Sequence, residues 1–240
     1  MEPVTAIFAG VAAVGGGALW WWRTKVGKEL ALMQATETST AAAVPSQRAG
    51  TLVELKGALR CQAPLSSEFA QQSCVYYRAL TEREYEDIRR DSEGRTQRER
   101  RYQTMTDNIR HAPCVLDDAT GSVRLTFEGA KVEAMEGIKR YESGGGVGSL
   151  VGSLLNVSGT TLGYRYTEWL LPPDINAYVL GTVQADGSIG ASKTNAFVIS
   201  HKSEEERTKD LNSTRFWLMV ASIVCAVLAA GLLGWSLKAG

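Results

Sequence analysis

The residues able to do chemistry in this chain are few and scattered: four cysteines and two histidines among 240 residues. His111 and Cys114 are the one pairing of a base with a nucleophile close in sequence. Pro113 stands between them, no orienting third group is near, and local adjacency in a strand fixes no alignment, so an exposed or turn-capping histidine is the simpler reading. Asp117 and Asp118 offer two carboxylates to a hard cation. Successive side chains in a strand or turn point apart and no third ligand lies near in sequence, so turn chemistry accounts for them better than calcium or magnesium binding. Cys61, Cys74 and Cys114, with His111 and His201, are too widely spaced for a four-ligand zinc site. Cys74, ahead of Val75-Tyr76-Tyr77, reads as a small buried hydrophobe. Tyr164, Tyr166 and Trp169 read as core and hairpin aromatics more than as a ligand cage. The seven glycines between Ser143 and Gly163 are not followed by a Lys-Ser/Thr pair, which sets a phosphate loop aside. These residues assign no catalytic residue, no cofactor and no metal, and favour a non-enzyme.

The elements that must carry these residues begin at the two ends of the chain. Phe216 to Leu237 holds no charge, and at 1.5 Å per residue it reaches about 33 Å, enough for a hydrocarbon core of roughly 30 Å. Trp217 and Trp235 lie near its ends, where amphipathic rings favour the membrane interface. Val4 to Trp22 is also uncharged, though diluted by Gly10, Gly15, Gly16 and Gly17. It is followed rather than preceded by Arg23, Lys25 and Lys28, which suits a retained anchor better than a cleaved signal. Trp20, Trp21 and Trp22 are expected at the interface, and small residues four apart (Ala6 and Gly10; Ala12 and Gly16) would admit a second helix closely. Seven Lys/Arg lie on the inner side of the two helices against Lys238 on the outer side. The positive-inside rule then places the middle of the chain in the cytoplasm and both termini outside. An equal count of 26 basic and 26 acidic residues removes the strongly basic field of a general nucleic-acid binder.

Between the helices the pattern is of strands. Residues 1–22 read as a transmembrane helix, 23–50 as a juxtamembrane helix and linker, 51–202 as a β-rich domain, 203–215 as a juxtamembrane helix and 216–237 as the second transmembrane helix. The fold class is mainly β (α+β), a compact barrel or sandwich-like domain between two membrane helices. Thr51 to Cys61 alternates until Gly57 interrupts it, and Cys114–Leu116 with Val123–Phe127 flank a loop of turn formers. Seven acidic and seven basic residues crowd Glu82 to Arg101, which reads as a solvated hairpin tip or loop. Ser203 and Glu206 form a capping-box signature opening the last helix. Leu150, Val151, Leu154 and Leu155 fall at helical spacing inside the glycine-rich run and are expected to make a contact. Burial would contribute roughly 1.5–3 kcal/mol for each such side chain. Three destinations stay open: the domain's own sheet, a second copy of the chain, or lipid.

CVYYRALTEREYE, CVLDDATGSVRLTFEGAKVE, GYRYTEWLLPPDINAYVLGTVQADGSI and FVISHKSEEE, in this order between two apolar helices, resemble the GIDE or beside-a-membrane domain. The resemblance covers roughly Thr51 to Glu206. Eukaryotic members are similar to organelle outer-membrane ubiquitin ligases in which a zinc-binding RING follows the second span. A RING takes about eight Cys/His ligands, more than the four cysteines and two histidines present, so ubiquitin transfer does not carry over. The chain resembles a prokaryotic member, implying an inner-membrane, two-pass, non-catalytic interaction or scaffold protein. Its expected partners are membrane lipid, a second copy, or a LemA-type or other membrane protein; a ligase-like or hydrolytic membrane enzyme is the alternative.

Overall fold

The computed structural model describes residues 3–90, 96–144 and 160–238. The chain divides into a helical unit, Met1–Thr38 with Lys202–Gly240, and a β unit, Ser39–His201.

In the β unit, period-2 sequences become strands whose inward residues make one core. The elements that build its main sheet are β1 (Leu52–Arg60), β6 (Cys114–Asp118), β7 (Gly121–Leu125), β11 (Asn176–Val183) and β12 (Ile189–Gly190). β1 pairs with β6, β6 with β7, β7 with β12, β12 with β11, and β11 returns to β1, so five strands close into a barrel. Numbered one to five in chain order, they run 1-2-3-5-4-1, and the third and fifth lie parallel where Ile189 sits beside Leu125. That is the connectivity of the OB-fold, a five-stranded Greek-key barrel. Val53, Leu55, Leu59, Leu116, Val179 and Ile189 are among the residues of its core. β1 alternates because Val53, Leu55 and Leu59 face this core. Glu54, on the other face, is buried as well and accepts a hydrogen bond from Tyr178 Oη at 3.0 Å.

Gly57, which interrupts the alternation, sits where a Cβ would lie 2.5 Å from Asp117 O. Gly181 likewise meets Ile189 Cγ2 at 2.5 Å. Both glycines let strands of a small barrel pass closely. Two short strands, β8 (Lys131–Glu133) and β13 (Val198–Ser200), extend the sheet from β11.

The chain leaves the barrel twice to build a second sheet. Between barrel strands one and two come β2 (Leu65–Ser66), β3 (Ser73–Cys74), β4 (Tyr76–Arg90) and β5 (Thr96–His111); between three and four come β8, β9 (Met135–Ser143) and β10 (Thr160–Leu171). Strands β5, β4, β10 and β9 form a four-stranded antiparallel sheet. The charged stretch 82–101 is therefore largely strand, its ladder running from Glu82–Thr104 to Arg90–Thr96. Its pattern alternates in charge rather than hydrophobicity. Arg98 approaches Glu86 at 3.6 Å, Arg100 approaches Glu84 at 3.6 Å and Arg101 approaches Asp87 at 3.5 Å across the pair, the cross-strand contacts that stabilise a solvated ladder.

The β unit also begins earlier than the alternation suggests. Ala41–Ser46 forms a 3-10 helix whose Ala41 and Val44 join the barrel core. Asp118 Oδ2, in the β6–β7 turn, accepts the Ala41 N–H at 2.8 Å, and Thr120 Oγ1 accepts the Ala42 N–H at 3.1 Å. Residues 41–46, read from sequence as linker, close the turn end of the β6–β7 hairpin.

The helical unit holds α1 (Pro3–Ala35) and α2 (Glu204–Lys238). The capping box forms as read: Ser203 N–H donates to Glu206 Oε2 at 3.1 Å, and Glu206 N–H to Ser203 Oγ at 3.2 Å. The helices pack antiparallel. Buried Arg207 meets Glu29 at 2.9 Å, and a Cβ on Gly16 would lie 3.3 Å from Cys225 Cβ. Among the described residues one helix, Glu204–Leu232, is long and apolar enough to cross a membrane. The second span expected over residues 1–22 is not among the helices that meet this measure, although α1 covers most of that run.

Candidate functional site

The structure places the features flagged by sequence in turn and packing roles. His111 stacks on Phe127 with ring centroids 5.2 Å apart and has Glu128 Oε1 3.4 Å from Nε2, whereas Cys114 is buried in the barrel core. Asp118 Oδ1 accepts the Thr120 N–H at 2.7 Å, the Thr120 hydroxyl at 2.6 Å and the Gly121 N–H at 3.1 Å. With the hydroxyl of Thr120 as the leading cause, these contacts hold the Asp118 carboxyl below the usual carboxylate range. The carboxylate is spent on its turn. Cys74 is fully buried, and burial first, then the charge of Glu168, pushes its thiol up to about 11. Tyr166 packs edge-on against Phe69 at 5.4 Å, Tyr164 is buried, and the Arg78 guanidinium lies over Trp169 at 5.7 Å.

Leu150, Val151, Leu154 and Leu155 lie outside the described residues. Trp20, Trp21 and Trp22 are exposed on α1, with Arg23 over the Trp20 ring at 4.8 Å and Lys25 over Trp21 at 3.9 Å. Trp217 is exposed on α2 and meets Phe216 edge-on at 5.7 Å. Trp235 also lies in α2, its side chain outside the described ones.

What the fold does assemble is a cleft in the β unit, about 940 Å³ in volume. Its floor comes from the start of β6 and the end of β7, where Cys114, Val115, Leu125 and Thr126 line it. One wall is the segment leaving β1, Cys61 to Pro64; another is the β11–β12 turn, with Asp186 and Ser188. Pro64, Pro113 and Pro173 stiffen the rim and keep it apolar. In a barrel of this connectivity the face of strands two and three, between the loops joining one to two and four to five, is where ligands lie.

The charged groups of the cleft are matched to one another. Arg60 pairs with Asp174, and its Nε is 3.7 Å from Asp117 Oδ2. Asp174 is placed for this by a left-handed backbone, φ +64°, and its N–H bonds Leu59 O at 2.8 Å. Arg124 Nη2 donates to Asp186 O at 2.9 Å and to Asp186 Oδ2 at 3.2 Å. The Ser188 hydroxyl above all, then its N–H, holds the Asp186 carboxyl low, with Arg124 adding to this. Such a site offers an apolar trough bounded by two compensated arginines. Sequence reading missed it because its lining comes from five separate segments, of which the β6–β7 hairpin was the part visible locally.

The β unit is a five-stranded barrel module with an open cleft on strands two and three, carried in one chain with a helix long and apolar enough to cross a membrane. A family model described as E3 ubiquitin ligase matches residues 84–234, more than half of the chain. The protein belongs to this family, GIDE. The matched segment begins within β4 and includes four of the five barrel strands. No curated protein and no solved structure matches the chain.

Proposed function

We propose that the protein is a membrane-anchored, non-catalytic interaction module that holds an extended segment of a membrane-protein partner in the barrel cleft. The observation that carries this reading is the lining. Val115, Leu125 and three prolines present apolar surface, while Arg60 and Arg124 are already matched by Asp117, Asp174 and Asp186. A mostly apolar concavity with a few fixed polar groups suits binding. α1 and α2 would both cross a bacterial inner membrane, with the β unit in the cytoplasm and the termini outside. The seven-to-one Lys/Arg asymmetry supports that orientation. The large exposed apolar residues of α1, such as Ile7, Phe8, Val11 and Val14, support its entering the bilayer. Partners of this kind include a LemA-type membrane protein or a second copy of the chain, with lipid around the helices.

A photo-crosslinking residue at exposed Gln62, on the cleft wall, is expected to capture a discrete membrane protein in cells, whereas the same probe at exposed Thr104 on β5 captures none. Equal capture from both positions, or none from Gln62, removes the cleft from the reading. The family description favours a second reading, ubiquitin transfer or assistance to it. Purified protein with activating and conjugating enzymes and ubiquitin tests it: formation of ubiquitin conjugates that depends on the protein would establish that reading over the first.

A further inference from the structure

Cys61 and Cys114 both line the cleft, and the register of the barrel sets them against each other. β1 and β6 pair antiparallel through Ala58–Asp117, Leu59–Leu116 and Arg60–Val115; one further step puts Cys61 opposite Cys114. Leu59 turns its N–H to Ile175 O at 2.9 Å, on the β11 side, so the bonds between β1 and β6 belong to Arg60 and Val115. The next pair is then of the narrow, non-hydrogen-bonded kind, with Cα atoms about 4.5 Å apart. A disulfide spans Cα separations of roughly 4.4–6.8 Å. Alternation also puts both sulfurs on one face: Leu59 and Leu116, two residues back on each strand, are fully buried in the core. Both cysteines are free thiols, Cys61 half-buried and Cys114 buried. Burial first, and then Cys61, pushes the Cys114 thiol up to about 12, so Cys61 is the member of the pair able to start an exchange.

We propose that Cys61 and Cys114 form a dithiol site on the floor of the cleft, which closes to an intramolecular disulfide by exchange with a low-molecular-weight disulfide. The Cys61 thiolate attacks one sulfur of the entering disulfide, its S–S bond breaks, and one small thiolate leaves. The Cys114 thiol then gives up its proton and attacks the Cys61 sulfur of the mixed disulfide, and the second small thiol departs. Two protein thiols are oxidised and one small disulfide is reduced to two thiols. The new bond ties the end of β1 to the start of β6 and fixes one wall of the cleft against its floor. The site stands on the barrel register and does not depend on what the cleft binds.

The full-length protein in detergent, first reduced and then treated with oxidised glutathione, is followed by intact mass and peptide mapping. The wild type is expected to lose the mass of two hydrogens, retain no glutathionyl group, and yield a peptide joining Cys61 to Cys114. Cys114→Ser is expected to trap a glutathionyl group on Cys61, and Cys61→Ser to leave Cys114 unmodified. Circular dichroism of each variant establishes that the barrel is intact, and the wild-type result stands without them. A stable glutathionyl group on wild-type Cys61, an unreacted Cys61, or a disulfide mapping to any other pair would overturn the proposal.

Discussion

Two buried or turn-locked carboxylates tie distant segments of the β unit together, Glu168 joining β10 to the β2–β3 loop and Asp118 joining the β6–β7 turn to the 3-10 helix. Glu168 is fully buried, and its two oxygens accept the N–H groups of Phe69 at 2.7 Å and Ala70 at 3.0 Å. Glu168→Gln keeps one acceptor and turns an amide N–H₂ toward a backbone donor. It is expected to cost about 1–3 kcal/mol, the price of leaving a buried donor unmet. Chemical denaturation measures this. The same variant should open Cys74, inert in the native protein at a pH near 8 because its thiol stands at about 11, to a maleimide before global unfolding. Asp118 does comparable work at the 3-10 helix through Ala41 N–H. Its folded pKa is lowered, so its contribution is present above the ordinary Asp value of about 4 and is lost as pH falls through the lowered folded value. Asp118→Ala should therefore be less stable than wild type at neutral pH by about 1–2 kcal/mol. That gap should narrow as unfolding is measured at progressively more acid pH below about 4. A gap that stays constant into acid would detach the carboxylate from this role.

At the scale of elements, what was legible in sequence follows from how far apart the cooperating residues lie. The capping box needs Ser203 and Glu206, three residues apart, and it formed as read. The β6–β7 hairpin is equally local. The bond from Ala41 to Asp118 spans 77 residues, so residues 41–46 carried no signal of joining the core and looked like linker. Closure of the barrel pairs Leu52 with Thr182 and Ala58 with Asn176, which no local period encodes, and the cleft exists only after that closure. Residues 82–101 misled for a different reason: their alternation is in charge, whereas strand reading looks for alternation in hydrophobicity. Gly57 was visible as an interruption, and the structure supplies its reason. Gly57→Ala would place its Cβ 2.5 Å from a backbone oxygen, Asp117 O, which cannot rotate away as a side chain could. The β1–β6 pair must then part, costing about 1–3 kcal/mol as other overpacked sites do. Thermal unfolding should show the loss, and a stability equal to wild type would mean the two strands separate without penalty.

On the scale of the whole molecule, the helical unit frames the membrane topology. α2 is the helix long and apolar enough to cross, and α1 runs antiparallel along it, with Gly16 beside Cys225 and Glu29 beside Arg207. Cys225 lies well inside the uncharged run of α2, and α1 packs against it at Gly16. Helix association in lipid relies on such close approach at small residues rather than on hydrophobicity alone. On the proposed two-pass reading both termini fall on one face, and the Lys/Arg asymmetry would make that the outer face. Single cysteines replacing Thr5 and Ala239 are expected to react with a membrane-impermeant maleimide in intact bacteria, while Thr104→Cys on β5 reacts only after lysis. Labelling at Ala239 with Thr5 protected would leave α2 as the sole crossing, and labelling at Thr104 in intact cells would invert the orientation.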